Sequence, residues 1–150
     1  LPTEAEWNYA ASGGDEQRYY PWSRPATPYT PPMGTIIDDT FAVYNCKGDG
    51  SDPGSCAVAD ILPVGSRSPV GDGRWGQADL AGSMYEWNLD WYNPYVNPCD
   101  NCANLSDAYG RVLRGGDWRG NAHVVRTASR SGPMPEGRYV GIGIRCARTP

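Results

Sequence analysis

Only one histidine, His123, and one phenylalanine, Phe41, occur in the 150 residues. A Ser/His/Asp triad or a multi-histidine metal centre would have to be built around that single imidazole, and a lone histidine in a polar loop more often faces solvent than a ligand. No apolar run approaches the roughly 20 residues that span a bilayer, so no membrane span is expected, and the chain opens at Leu1 inside a helix signal instead of a leader peptide. No glycine loop of the phosphate-cradling kind precedes a helix, and no internal repeat is evident. The net charge of −4 gives no basic stripe to offset a phosphate backbone, which argues against nucleic acid as a partner. No cysteine occurs between Cys102 and Cys146.

Tyrosine and tryptophan, by contrast, are abundant: ten Tyr and six Trp accompany 19 Gly and 14 Pro. Glycine and proline at that level go with disorder when aromatics are few. Here the aromatics are many, so the composition predicts one loop-rich domain over 1–150, held by rings whose polar ends are hydrogen-bonded or wet. Thr3 is placed to cap a helix, with Glu6 completing a capping box and Ser12, Gly13 and Gly14 ending it. From Tyr19 to Thr40 the proline-rich sequence has neither a helical nor an alternating period, which predicts an ordered loop pinned by Tyr20, Trp22 and Tyr29. Ile61–Ser66 reads as a short extended segment ending in a turn, and MYEWNLDWY as short strands or turns across a core. VLRGG and RYVGIGIRCA are the most strand-like segments, the second alternating from Val140 to Cys146.

Cys46 and Cys56 bracket a glycine- and aspartate-rich loop, NCKGDGSDPGSC, and a disulfide there would contribute roughly 2–3 kcal/mol through lost unfolded-state entropy. Cys99 and Cys102 in PCDNCAN suit a second bridge; a four-thiolate zinc site using both pairs is the rival reading. Cys146, in an apolar strand, is expected to be a free, buried thiol. Such cysteine usage favours an oxidising compartment, extracellular or periplasmic. Asn104, Leu105 and Ser106 form a glycosylation sequon, relevant in a eukaryotic secretory host. The arginines of the last third, Arg114, Arg119, Arg126, Arg130, Arg138, Arg145 and Arg148, suit either ion pairs with the acidic first half or a carboxylate-bearing ligand.

Three motifs in order, LPTEAEWNYAASGG from Leu1, ADLAGSMYEWNLDWY from Ala78 and GRVLRGGDWRGNAHVVRTASRSGPMPEGRYVGIGIRCAR from Gly110, make the chain resemble the sulfatase-modifying-factor family, whose best-known members are formylglycine-generating enzymes. The resemblance covers nearly all of these residues but only the latter part of a typical family domain, whose N-terminal part is absent from this sequence. It implies an α+β fold related to C-type lectins, with little regular secondary structure, short twisted antiparallel sheets and few helices. It also implies a calcium site formed by the Asp79 and Glu86 side chains and the Gly82 and Met84 carbonyls, an oxygen-only donor set of the kind hard cations take. A second calcium site of the family begins at an Asn that is matched here by Val43, which has no side-chain donor. Asn45, Asp49, Asp52 and Asp60 are the nearby oxygen donors, and no second site is assigned.

Formylglycine-generating enzymes hold copper through two cysteine thiolates just beyond an RGGS-type turn, soft ligands that Cu(I) requires. In this chain the turn is Arg114, Gly115, Gly116, Asp117; Gly120 stands at the first thiolate position and Val125 near the second. Copper and formylglycine synthesis are therefore not expected, and no catalytic residue is assigned. The reading that follows is a non-catalytic, extracellular binding or structural module stabilised by calcium. Trp118, Arg119, Asn121, His123 and Arg126 would line its ligand groove for a peptide, glycan or protein partner. Two alternatives stand beside it: an oxidoreductase of the formylglycine-generating or sulfoxide-synthase type whose metal is supplied outside this segment, and a subunit of a larger extracellular assembly.

Overall fold

Residues 1–24, 34–50, 55–95, 97–100 and 102–147 are described by the computed structural model. Tyr29, the loop tip at 51–54 with Asp52, and Arg148 lie outside them. Helix α1 (Glu4–Ser12) begins as its sequence predicts. The Thr3 hydroxyl accepts from the Glu6 amide at 3.1 Å, and the Glu6 carboxylate accepts from the Thr3 amide at 2.8 Å. Gly13, in the left-handed region at φ 69°, ends it.

Three strands follow much later: β1 (Tyr85–Trp91), β2 (Arg111–Arg114) and β3 (Ile142–Gly143). They form one sheet in the order β2-β1-β3. β1 pairs antiparallel with β2, with a register irregularity between Trp87 and Trp91, and parallel with β3. The sheet is thus mixed, where short antiparallel sheets were expected. Few helices, one small sheet and long stretches of turn and coil are as the sequence implied.

β1 has the period of a half-buried strand, but its buried face is the polar one: Glu86, Asn88 and Asp90 point inward. Two of them are satisfied by α1 and its surroundings. The Asp90 carboxylate accepts from the Glu4 amide at the helix N-terminus and from the Asn104 amide, each at 2.7 Å, where a negative charge also suits the helix dipole. Glu86 accepts from the Trp7 indole at 2.6 Å. The Leu89 amide donates to the Pro2 carbonyl at 2.9 Å, so the helix entry is stitched to the middle of the strand.

The apolar core is small and distributed. Trp7, Ala11 and Leu80 form one cluster; Tyr20, Ala42, Tyr44, Ala81 and Val125 a second; Val43, Cys46 and Trp118 a third. The 78–84 segment threads between them through Leu80 and Ala81. In the proline-rich loop, Tyr20 stacks on Trp22 and Trp22 on Phe41, with ring centroids 4.9 and 5.2 Å apart. Both expected disulfides, Cys46–Cys56 and Cys99–Cys102, are formed, which rules out a zinc site built from those four thiolates.

Cys146 is free as expected but exposed, not buried. The reason is the brevity of β3. Pairing with β1 covers Ile142 and Gly143 alone, and Val140 and Ile144 are 64% and 69% exposed on either side. Alternation from Val140 to Cys146 therefore marks an edge passing a strand, not a buried strand.

Candidate functional site

Gly115 and Gly116, both in the left-handed region at φ 90° and 75°, turn the chain out of β2 and into Asp117. Asp117 is buried and closes the turn: one carboxylate oxygen accepts from the Gly120 amide at 2.9 Å, the other from Arg119 at 2.8 and 3.0 Å. Backbone bonds from Asn45 and Cys46 to the Gly120 and Trp118 carbonyls, both 2.9 Å, clamp the turn against the disulfide-bearing segment. A Cβ added at Gly120 would meet a Val124 methyl at 2.3 Å, and one at Gly116 would meet Val125 at 2.6 Å. Val125 is fully buried. The two positions at which thiolates were sought are thus filled by close packing. Four cysteines are tied in disulfides and the fifth, Cys146, lies beyond β3, so this chain's own residues do not fit a copper-binding thiolate pair.

Of the five residues expected in a ligand groove, Trp118 is not presented at all. It is 4% exposed, packed against Val43 and Cys46 with Ile61, Leu62 and Met84 around them, and its indole N–H has no partner. Its burial corrects the expectation that it lines a groove: the turn after Gly116 rolls its ring inward while its neighbour Arg119 lies above it, 5.3 Å from the ring centre. Arg119, Asn121 and His123 remain on the surface. The Asn121 side chain accepts from the His123 amide at 2.9 Å, which forms a local turn. Arg126 donates to the His123 carbonyl at 3.0 Å but lines a different cleft, with Tyr19, Tyr95, Asn8 and Thr127.

The loop from Asp79 to Met84 has a different character. Asp79, Gly82 and Ser83 all have positive φ (56°, 75° and 61°), and for Asp79 and Ser83 that is strained backbone of the kind that gathers at ligand clamps. Asp79, Ser83, Met84 and Glu86 line one open cleft with Arg145, so three of the four expected calcium ligands share a cavity wall. One Asp79 oxygen accepts from the Gly65 amide at 2.6 Å. Glu86 is more fully engaged, since both of its oxygens accept from Arg145 at 2.6–3.1 Å, besides the Trp7 indole. Arg145 also donates to the Ala78 carbonyl at 2.8 Å. Burial opposes the Arg145 charge, but the hydrogen bond and charge of Glu86 outweigh it and hold the guanidinium above its ordinary pKa. For Glu86 to serve as a calcium ligand here, Arg145 would have to yield one of its oxygens. Among the described residues no three His, Cys, Asp or Glu side chains converge on a metal position, so backbone carbonyls would supply half the set.

A buried ionic cluster joins these regions, one of the expected pairings of late arginines with an acid of the first half. Glu4, on the first turn of α1, takes a two-pronged bond from Arg130 at 2.7 and 2.8 Å and lies 3.7 Å from Arg114. Arg114 is 1% exposed; it donates to the Thr127 carbonyl at 2.9 Å, to the Ser129 carbonyl and to the Asn8 side-chain oxygen, and stacks over Trp7. Burial lowers its pKa, and the Glu4 carboxylate opposes that. A spacing of 126 residues between Glu4 and Arg130 leaves no sequence signal for this particular pairing.

Compared with known proteins, residues 1–150 match the Sulfatase-modifying factor enzyme 1-like domain. The formylglycine-generating enzyme of Streptomyces coelicolor is 34% identical, over 98% of this chain and 46% of the relative. The inactive C-alpha-formylglycine-generating enzyme 2 of Bos taurus is 32% identical, over 98% and 43%. Among solved structures, Treponema denticola variable protein 1 superposes with a TM-score of 0.69 at 27% identity, over 96% of this chain and 45% of that one. The chain spans about half the length of these proteins.

Proposed function

Because the chain belongs to the sulfatase-modifying factor family, we propose that it is a member that has kept the scaffold and lost the oxidation chemistry, acting as a binding or structural module outside the cytoplasm. The observation that carries this reading is the packed turn: Gly120 and Val125 occupy the thiolate positions, and Val124 fills the space a Cβ at Gly120 would need. Without soft ligands nothing in the turn holds or tunes copper. Similarity to a protein named as an inactive formylglycine-generating enzyme supports the same reading, and the two disulfides support an oxidising compartment. Among the described residues no helix is long and apolar enough to cross a membrane.

The test is direct. Incubated with copper, oxygen and a cysteine-containing sulfatase peptide, the purified chain should form no aldehyde by mass spectrometry; aldehyde formation would overturn the proposal.

The scaffold is stabilised by one calcium ion at the Asp79–Glu86 loop, with Asp79 and the Gly82 and Met84 carbonyls as ligands and Glu86 joining as Arg145 shifts. A ligand held by the folded state alone must stabilise it. Chelator should therefore lower the melting temperature, and added calcium should restore it; elemental analysis finding no calcium, with a melting curve indifferent to chelator, would remove the ion from the account.

A further inference from the structure

Clefts on the surface of the described residues differ in charge, as three of them show. The first, lined by Glu4, Asp90, Tyr95 and Arg130 among others, holds two carboxylates against one guanidinium. The cleft of the Asp79 loop likewise sets Asp79 and Glu86 against Arg145. The one between α1 and the 126–128 segment has Arg18 and Arg126 in its wall and no carboxylate. A positive cleft in a chain of net charge −4 is set against the general field of the molecule.

Its charged groups are both donors, and uncommitted donors gather around one of them. Arg18 is already paired with Glu16 at 2.6 Å, but Arg126 forms no ion pair among the described residues. Its guanidinium is nevertheless held in place: Nε donates to the His123 carbonyl and Nη1 to the Tyr19 hydroxyl, each at 3.0 Å, and the Tyr19 ring centre lies 5.4 Å away. Nη2 has no protein acceptor among the described residues.

The Tyr19 oxygen accepts from Arg126, which leaves its own hydrogen free to donate. Asn8 adds a third donor. Its side-chain oxygen accepts from Arg114, and a guanidinium has only donors to offer, so the amide orientation is fixed and its NH2 group is left over. The remaining donors are spent, since Tyr95 donates to Glu4, Thr127 to the Arg18 carbonyl, and Ser12 and the Gln17 amide both to the Gly14 carbonyl, which leaves the Gln17 oxygen as an acceptor in the wall.

We propose that this cleft is a binding site for a carboxylate group, gripped by Arg126 Nη2 and the Tyr19 hydroxyl with the Asn8 amide beside them. A group that only accepts complements the free donors of Arg126, Tyr19 and Asn8, and a pre-oriented guanidinium loses little freedom on pairing with a planar carboxylate. The proposal rests on the binding-module reading and names its ligand chemistry. It moves the site away from Trp118, Arg119 and His123 to the far side of Arg126. Such a carboxylate comes from an acidic peptide side chain or from a uronic acid, and the two are told apart by the ligands used.

The experiment titrates the isotope-labelled chain with a capped tetraglutamate peptide, with glucuronate and with capped tetraglutamine, following arginine Nε–Hε and backbone resonances by NMR. Either of the first two, but not tetraglutamine, should bind and shift the Arg126 signal; which one binds more tightly identifies the source. R126Q should weaken binding at least about tenfold, as expected for losing a charge-assisted hydrogen bond. R138Q, at an exposed arginine outside the cleft, should leave it unchanged. R126K and Y19F keep the charge and the ring respectively, should each weaken binding less than R126Q, and carry the test if R126Q does not fold. Absence of binding by both acids at about 10 mM, where a Kd of that order corresponds to under about 3 kcal/mol, or equal binding by R126Q, overturns the proposal. Neither result bears on the copper or calcium experiments, so failure here is separable from failure of the module reading.

Discussion

The 79–86 loop and the 116–125 turn touch, the Gly82 amide donating to the Gly115 carbonyl at 2.8 Å and the Trp118 amide to the Ser83 carbonyl at 2.9 Å. Built from one hydrogen-bonded neighbourhood, they have been treated in opposite ways. The loop holds strained φ angles, keeps its acids and borders an open cleft. Across the shared bonds, glycine and valine fill the turn, and its new acid, Asp117, is consumed in closing it. Two adjoining segments can differ in this way because the backbone on either side is pinned by its own bonds, so that packing in one leaves the cleft beside the other open.

Three substitutions probe that contrast. The largest effect is expected from Glu86→Ala, which strands the Arg145 guanidinium and the Trp7 indole; chemical denaturation should register a loss of about 3 kcal/mol, toward the low end for a broken ion pair because Arg145 is partly exposed. A cost below about 1 kcal/mol would mean that the loop side is no more committed than an ordinary surface pair.

Next comes Gly120→Cys, which restores one thiolate position. With a Val124 methyl 2.3 Å from the new Cβ, overpacking should cost about 2 kcal/mol. If the variant melts like the parent, the turn is still open to a ligand and the contrast fails.

The smallest effect is expected from Asp117→Asn. It keeps an acceptor for the Gly120 amide and removes the charge opposite Arg119 with the oxygen that accepts its two bonds; that side chain is 47% exposed and can turn to water, so about 1 kcal/mol or less is expected, falling further in salt. A loss several times larger would show that Asp117 organises more than its own turn.

Legibility in the sequence followed the range of the interactions. Thr3, Glu6 and Gly13 act within a few residues, and α1 began and ended where they indicate. The paired cysteines behaved likewise, their partners being 10 and 3 residues apart. Trp118 was misread because RGGDWRG looks like a solvent-facing polar turn; the left-handed Gly116 that precedes it reverses which side chains point in. β1 was half legible. Strand or turn across a core was readable, but Glu86, Asn88 and Asp90 face the interior because Trp7, Arg145, Glu4 and Asn104 come from distant segments to meet the two acids. Asn88 has no hydrogen-bond partner at either side-chain atom, and nothing in the structure explains why a carboxamide stands there. The arginine clefts were invisible for a related reason: whether an arginine is paired or free is decided by residues up to 126 positions away.

The Asp90 bond to the start of α1 also sets a schedule. The helix is synthesised first, yet the carboxylate that receives its N-terminus and the glutamate that receives the Trp7 indole come 86 and 79 residues later. At ribosomal rates of about 5–20 residues per second, α1 waits roughly 4–17 s for its seat. A nine-residue helix is marginal on its own, so during that interval Trp7 stays uncovered, and a segment made before its partners is among the last to be secured.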